Sequence, residues 1–360
     1  MFQQTPATTA LPPLDEERFV ARLVEMPKPK AGERAILVYD PGYYPGITMR
    51  LRDELHKRGV QTYLLVEDSA EMIRMDDSEA EPPLPRERDV VAALTPLFQS
   101  VQIFYWMPER AYVGDLRWER VLGASKARGV HFHWMLPFPG GRTAEQVAKE
   151  TATKTQQCLD VDLVAHAKLQ QRLAKAIRGQ TLHITTEGGT DLRVRVPRDQ
   201  WIHFGDGDIS AEKAAVARSI RDRSIELPVG MFAFIPDPAG FQGTVASKDV
   251  QRAGPNVNQG RFTFDRGRIS KIEPDGIQTA VRAEAKRIGP DGDKVSVLWL
   301  NTNPFIQTGV QFDVGSNWEN GATNRATRMR RMALRLPDAS VWAGDRLVMR
   351  AGVWLWDAIP

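Results

Sequence analysis

One run constrains the fold more than any other: RAILVYDPGYYPGITMRLRDELHKRGVQTYLLVED. Ala35–Tyr39 is a continuous apolar stretch, the pattern of a strand buried on both faces. Met49, Leu51 and Leu55 then supply the apolar residues of a helix, and Gly59 stands near its end. Gln61–Val66 then reads as a second strand. Strand, helix and strand in so short a space predict a parallel pair joined by a crossover helix. The loop DPGYYPG has neither the G-x-G-x-x-G nor the Walker spacing, so it reads as a plain strand–helix turn rather than a phosphate cradle. SVQIFYWMPE and GVHFHWMLPFPGG predict two more strands of this layer, with RWERVLGASKARG as the helix between them. Pro108 and Pro137 close these strands, whose C-terminal ends are expected to face a cleft.

The texture changes further along. Val161, Val164, Ala165, Leu169, Leu173 and Ile177 recur at helical spacing. They predict a long helix or a broken pair, ended by Gly179 as the first residue past the cap. Beyond it, TLHITTEGGTDLRVRVP alternates apolar and polar residues. GRFTFDRGRIS and SVWAGDRLVMR have the grammar of hairpins with tight glycine turns. One helix is expected near Ile277–Ile288. The expected class is therefore α/β: a parallel α/β domain over residues 21–180, then a mainly antiparallel β (α+β) domain over residues 181–360. Residues 1–20 are expected to form an arm.

Charge and cysteine content narrow the function. With 48 basic against 45 acidic side chains, no strong positive excess marks a nucleic-acid binder. The single cysteine, Cys158, excludes an intramolecular disulfide and a cysteine-based zinc site. No apolar run reaches membrane-spanning length. The first residues lack the basic flank and apolar core of a secretory signal. A cytoplasmic protein without a membrane or nucleic-acid partner is expected.

The order and spacing of GGTDLRVRV, ELPVG, GFQGTV, FTFDRGRI and NTNP resemble the thermophilic-type metalloaminopeptidases, peptidase family M29. That scaffold is shared by iron-dependent 2,5-dihydroxypyridine dioxygenases. The resemblance implies an M29-like fold, a homodimer and a metal site in the second domain. The residues at its ligand positions are altered. Met231 stands where the family has a glutamate. Val297, Leu298 and Trp299 cover the next ligand stretch. Arg331 and Ala333 match the last one, His-x-Asp. None of the six histidines lies beyond His203, and a charged Arg331 would repel a dication. No metal or other cofactor is therefore expected.

Candidate site residues follow. An unperturbed histidine titrates near neutrality, so His203 suits acid–base work, with Glu226, Asp206 or Asp208 as loop acids. The plainer reading of Asp206 and Asp208 is a solvated turn that caps a helix predicted from Ser210 through SAEKAAVARSIRDRS. Arg331 and Arg328 could hold an anionic substrate as bidentate guanidiniums; the alternative is a charged edge strand. Asn301 and Asn303 could hydrogen-bond a substrate, or shape the turn before Pro304. Met231 and Trp299 would line the cleft for an apolar or aromatic ligand. His131 and His133, two apart on a strand, offer a relocated metal site or a pair of strand-end histidines. The reading that results is a metal-independent enzyme, hydrolase or lyase, acting on a small anionic or aromatic molecule. The alternatives are an inactive binding or scaffold protein, and a metalloenzyme with relocated ligands.

Overall fold

The computed structural model describes residues 15–39, 41, 44–66, 85–107, 116–132, 153, 156–157, 159–305, 309–326 and 331–360. The first four strands, β1 (Arg34–Tyr39), β2 (Gln61–Val66), β3 (Ile103–Trp106) and β4 (Arg128–Phe132), pair in parallel. Helices Pro45–Lys57, Pro85–Gln99 and Leu116–Gly123 lie between them in sequence. After β4 come β5 (Thr181–Thr185), β6 (Asp191–Arg195), β7 (His203–Phe204), β8 (Ser224–Leu227), β9 (Met231–Phe234), β10 (Phe241–Ser247) and β11 (Asp249–Gln251). The chain continues through β12 (Gly260–Asp265), β13 (Arg268–Glu273), β14 (Val295–Asn301), β15 (Val310–Gly315), β16 (Arg331–Leu336), β17 (Ser340–Ala343), β18 (Arg346–Arg350) and β19 (Val353–Trp354).

Among the described residues three sheets form. The parallel sheet has the order β2-β1-β3-β4-β8, so its strand order reverses between β1 and β3, where crevices form in doubly wound folds. An eight-stranded sheet runs β13-β12-β10-β6-β5-β17-β18-β19 and a six-stranded sheet runs β11-β16-β15-β14-β9-β7. The inner faces of these two share one core. Leu182, Ile184, Leu192 and Val194 from the first sheet pack with Phe232, Leu298, Phe312 and Leu334 from the second. Burying each such side chain contributes roughly 1.5–3 kcal/mol.

The expected class, α/β with parallel and then antiparallel sheet, is the one observed. The helix Asp275–Ile288 and the hairpins β12–β13 and β17–β18 stand where the patterns put them. Arg266 and Gly267 both carry positive φ in the β12–β13 turn, as such tight turns require. The helix Leu163–Ile177 ends before Gly179, at φ +78°.

Three local expectations are corrected. A helix, Glu16–Glu25, already occupies the end of the supposed arm. Asp15 caps it, and Phe19, Val20, Leu23 and Val24 are buried on one face. The helix predicted from Ser210 lasts a single turn, Ala211–Ala214. The Asp222 carboxylate accepts from the backbone N–H groups of Arg218 and Ser219, which competes with helical hydrogen bonding. Finally, β8 joins the parallel sheet from beyond residue 180, pairing with β4. The chain therefore passes from the six-stranded sheet at β7 to the parallel sheet at β8 and back at β9.

The turn between β8 and β9 stitches these layers together. Gly230 (φ +128°) donates its N–H to Gly205 O at 2.9 Å and accepts from Thr302 N at 2.9 Å. A Cβ on Gly230 would lie 2.4 Å from Asn303 Cβ and 2.8 Å from its backbone nitrogen. Gly230→Ala is expected to destabilise the fold by at least about 2 kcal/mol, from overpacking and strain together. A shift of the urea midpoint at constant m-value would measure it.

Candidate functional site

The two faces of the six-stranded sheet differ in chemistry. Alternate residues of a strand point to opposite faces. One set, including Phe232, Phe234, Leu298, Leu300, Phe312, Val314 and Met332, enters the shared core. The other set comprises His203, Met231, Ala233, Val297, Trp299, Asp313 and Arg331. The register brings them side by side: His203 opposite Ala233, Ala233 opposite Trp299, Val297 opposite Asp313 and Ala333 opposite Asp313. Met231, Val297, Trp299, Arg331 and Ala333, the positions singled out by the family resemblance, thus share one face. Leu298 points the other way, into the core.

Met231 packs with Ala233, Val297 and Trp299 in a small apolar cluster. Beside it runs a chain of buried charges. Arg331 pairs through Nε with Asp313 at 3.1 Å and through Nη1 with Glu319 at 3.0 Å. The second guanidinium, Arg221, binds Glu319 and Glu226, and lies 3.8 Å from Glu119. Asp313, fully buried, also accepts from Trp299 Nε1 at 2.6 Å, Asn317 Nδ2 at 2.8 Å and Gln311 Nε2 at 2.7 Å. Burial pushes the Glu319 carboxyl up, but the charges of Arg221 and Arg331 overcome this and hold it down at about 2. Groups so desolvated stay ionised only because they are paired.

At the other end of the face lies a histidine–carboxylate pair. His203 Nδ1 is 3.4 Å from Asp222 Oδ1. Asp222 is anchored by Trp201 Nε1 at 3.1 Å, by the backbone N–H groups of Arg218 at 2.9 Å and Ser219 at 3.0 Å, and by Ser219 Oγ at 3.1 Å. Burial raises the Asp222 carboxyl, but the hydrogen bond and charge of His203 and the further donors bring it below its ordinary value. Burial lowers the His203 pKa, and Asp222 only partly opposes this. The imidazole is therefore neutral at pH 7. Beside Asp222 its proton belongs on Nδ1, which leaves the Nε2 lone pair. His203, Asp222, Trp201, Ser219, Val297 and Asn320 line a cavity of about 40 Å³, large enough for a water molecule.

The remaining candidates have structural duties. Glu226 is no loop acid: it sits on β8, bound by Arg221. Asp208 is not brought to His203. It accepts from Lys28 Nζ at 2.7 Å and from Ser210 N at 2.8 Å, and these hydrogen bonds outweigh burial to lower its pKa. Asp206 binds Lys213. Asn301 Oδ1 accepts from Asn303 N at 2.9 Å, and Asn303 Nδ2 donates to Val229 O at 2.6 Å, so both shape the turn, the plainer of the two readings. His131 stacks on Trp106 with ring centroids 3.7 Å apart. His133 and Arg328 lie outside the described residues. Among the described residues no group of three His, Cys, Asp or Glu is arranged to hold a metal ion. No helix among them is long and apolar enough to cross a membrane. Asp222, Asp313, Glu319 and Arg221 were not foreseen. One signal was available for Asp313: a carboxylate between Phe312 and Val314 in an otherwise apolar strand.

No protein-family model and no curated protein matches the chain. Among solved structures it is similar to AmpT from Thermus thermophilus, at 12% identity and a TM-score of 0.65, covering 94% of this chain and 99% of that one. It is also similar to the 2,5-dihydroxypyridine dioxygenase from Pseudomonas putida KT2440, at 11% identity and a TM-score of 0.61, covering 94% and 96%. At such identities the likeness shows the fold alone, the M29-like α/β fold that the sequence resemblance implied.

Proposed function

We propose that this chain is a metal-independent hydrolase on an M29-like scaffold, acting on a small aromatic ester or amide. The observation that carries the reading is the His203–Asp222 pair on a water-sized cavity that Ala233 and Val297 also line; these two belong to the apolar cluster with Met231 and Trp299. Neutral His203 takes a proton from the water through Nε2. The water oxygen bonds to the substrate carbonyl carbon, and the imidazolium returns the proton to the departing alcohol or amine. Asp222 stays ionised and orients the ring. The apolar cluster and Trp201 suit an aromatic group better than Arg331 suits an anion, because Asp313 and Glu319 already pair that guanidinium.

The residues present do not fit a divalent ion. A thioether, an indole and a guanidinium stand at the positions of interest, and hard or borderline cations favour oxygen and imidazole donors. Arg331 supplies the positive charge that Asp313 and Glu319 require. A screen of aromatic esters, amides and carboxylic acids with chelator present tests the reading. Turnover that persists under chelation is expected. Turnover that is abolished by chelator and restored by zinc or iron would sink it. The closed ion-pair chain favours a second reading, a binding or scaffold protein, and the absence of any turnover in the screen would select it. A homodimer is proposed on the family resemblance, for light scattering to check.

A further inference from the structure

We propose that Asn320 holds a water in the His203 cavity, through its side-chain amide oxygen, in the orientation that proton removal by His203 requires. This role rests on the hydrolytic reading of His203 for its chemistry and adds the second protein group that touches the water. Asn320 lines the same cavity of about 40 Å³ as His203 and Asp222. Among the described residues, its buried Oδ1 has no donor. A buried amide oxygen left so is costly, which points to a donor inside the cavity.

The other side chains of the wall do not supply that donor. Trp201 Nε1 and Ser219 Oγ both donate to Asp222, each at 3.1 Å, and Gln200 Nε2 donates to the Trp201 carbonyl at 2.9 Å. Ala233, Phe234, Ile235 and Val297 present only hydrocarbon side chains. His203 Nδ1 is turned to Asp222. Two acceptors therefore remain among these side chains, His203 Nε2 and Asn320 Oδ1, and their common partner must bring two donors. Water does, the volume admits one, and a buried water ordinarily makes two to four hydrogen bonds. With one O–H directed to each acceptor, both lone pairs of the water stay free. His203 Nε2 takes one proton, Asn320 Oδ1 keeps hold of the other, and a lone pair forms the bond to the substrate carbonyl carbon.

The backbone fixes Asn320 in its place. Trp318–Asn320 is a single 3₁₀ turn, closed by Gly321 at φ +79°, whose N–H donates to Trp318 O at 2.8 Å. Within the turn, Glu319 is held by Arg221 and Arg331, and its carbonyl accepts from Arg221 N at 3.2 Å. Arg221 directly precedes Asp222. The Arg221–Glu319 pair thus ties together the two segments that carry Asn320 and Asp222.

A crystal structure of the full chain, at a resolution that shows ordered water, tests the assignment together with the kinetics of two variants on the ester or amide found in the screen. A water is expected within about 3.2 Å of both His203 Nε2 and Asn320 Oδ1. Asn320→Leu fills similar space but accepts nothing. It should lower kcat about tenfold or more, the effect of one hydrogen bond on the reacting group, with KM unchanged. Asn320→Asp keeps an acceptor and should retain most of the rate. Its acid limb should move to higher pH, because a carboxylate beside the ring favours imidazolium. The assignment is overturned if no water bridges the two groups in the parent, or if Asn320→Leu matches the parent in kcat. It also fails if Asn320→Asp loses as much as Asn320→Leu. A bridging water with no turnover in the screen would uphold the place of Asn320 and defeat only the hydrolytic reading.

Discussion

Glu319→Gln is expected to lower the unfolding free energy by about 3–5 kcal/mol, the cost of breaking a buried ion pair by removing one partner. The Glu319 carboxylate lies between two guanidiniums, Arg221 and Arg331, and is itself 3% exposed. An amide keeps the shape but removes the charge. Arg221 then retains Glu226 and Glu119, and Arg331 retains Asp313, with the central counter-charge gone. A marginally stable fold holds only about 5–15 kcal/mol in reserve, so the urea midpoint should move visibly at constant m-value. Arg331→Met added to Glu319→Gln should cost less than the sum of the single changes, because both remove the same Arg331–Glu319 pair. A midpoint for Glu319→Gln within error of the parent would refute the network's role.

The same carboxylate fixes an acid limit. Glu319 titrates at about 2 in the folded chain, against an ordinary 4.5. Above the unfolded value both states are ionised, and the stabilisation is fully present. As pH falls from about 4.5 toward 2 the unfolded chain takes up the proton first, and stability is lost through that window, on the order of 3 kcal/mol in all. Glu319→Gln has no such proton to bind, so its stability should depend less on pH there.

Much of the scaffold was legible in local pattern. Ala35–Tyr39 announced a strand buried on both faces, because apolar runs next to a helical period admit few other folds. The glycine turns gave the hairpins. β8 escaped notice because Ser224–Leu227 is short and pairs with a strand far earlier in the chain. The helix predicted after Ser210 failed because Asp222 captured backbone groups that the helix needed. The site divides in the same way. Met231, Trp299 and Arg331 could be read from motif order, and alternation alone then sets them on one face. Arg221 and Glu319 are 98 positions apart, a pairing that no spacing rule encodes. Asp222 looked like one more polar residue in RSIRDRS until four donors converged on it.

That convergence makes His203→Gln the decisive change for chemistry. Glutamine fills similar space and can still hydrogen-bond Asp222, but it has no lone pair basic enough to take a proton from water. Turnover of whichever aromatic ester or amide the screen yields is expected to fall about 10²–10⁴-fold, the usual contribution of a positioned general base. KM should change little, since the imidazole acts on water and not on the bound group. Because burial lowers the His203 pKa, the parent should keep its activity as pH drops below the ordinary histidine value of 6.5. Activity should fall only when the ring protonates, and Asp222→Asn should move that acid limb lower still, by removing the charge that favours imidazolium. Turnover in His203→Gln within a few-fold of the parent, or an acid limb that Asp222→Asn leaves in place, would remove His203 from the reaction. The cavity would then be only a packing gap behind a buried histidine.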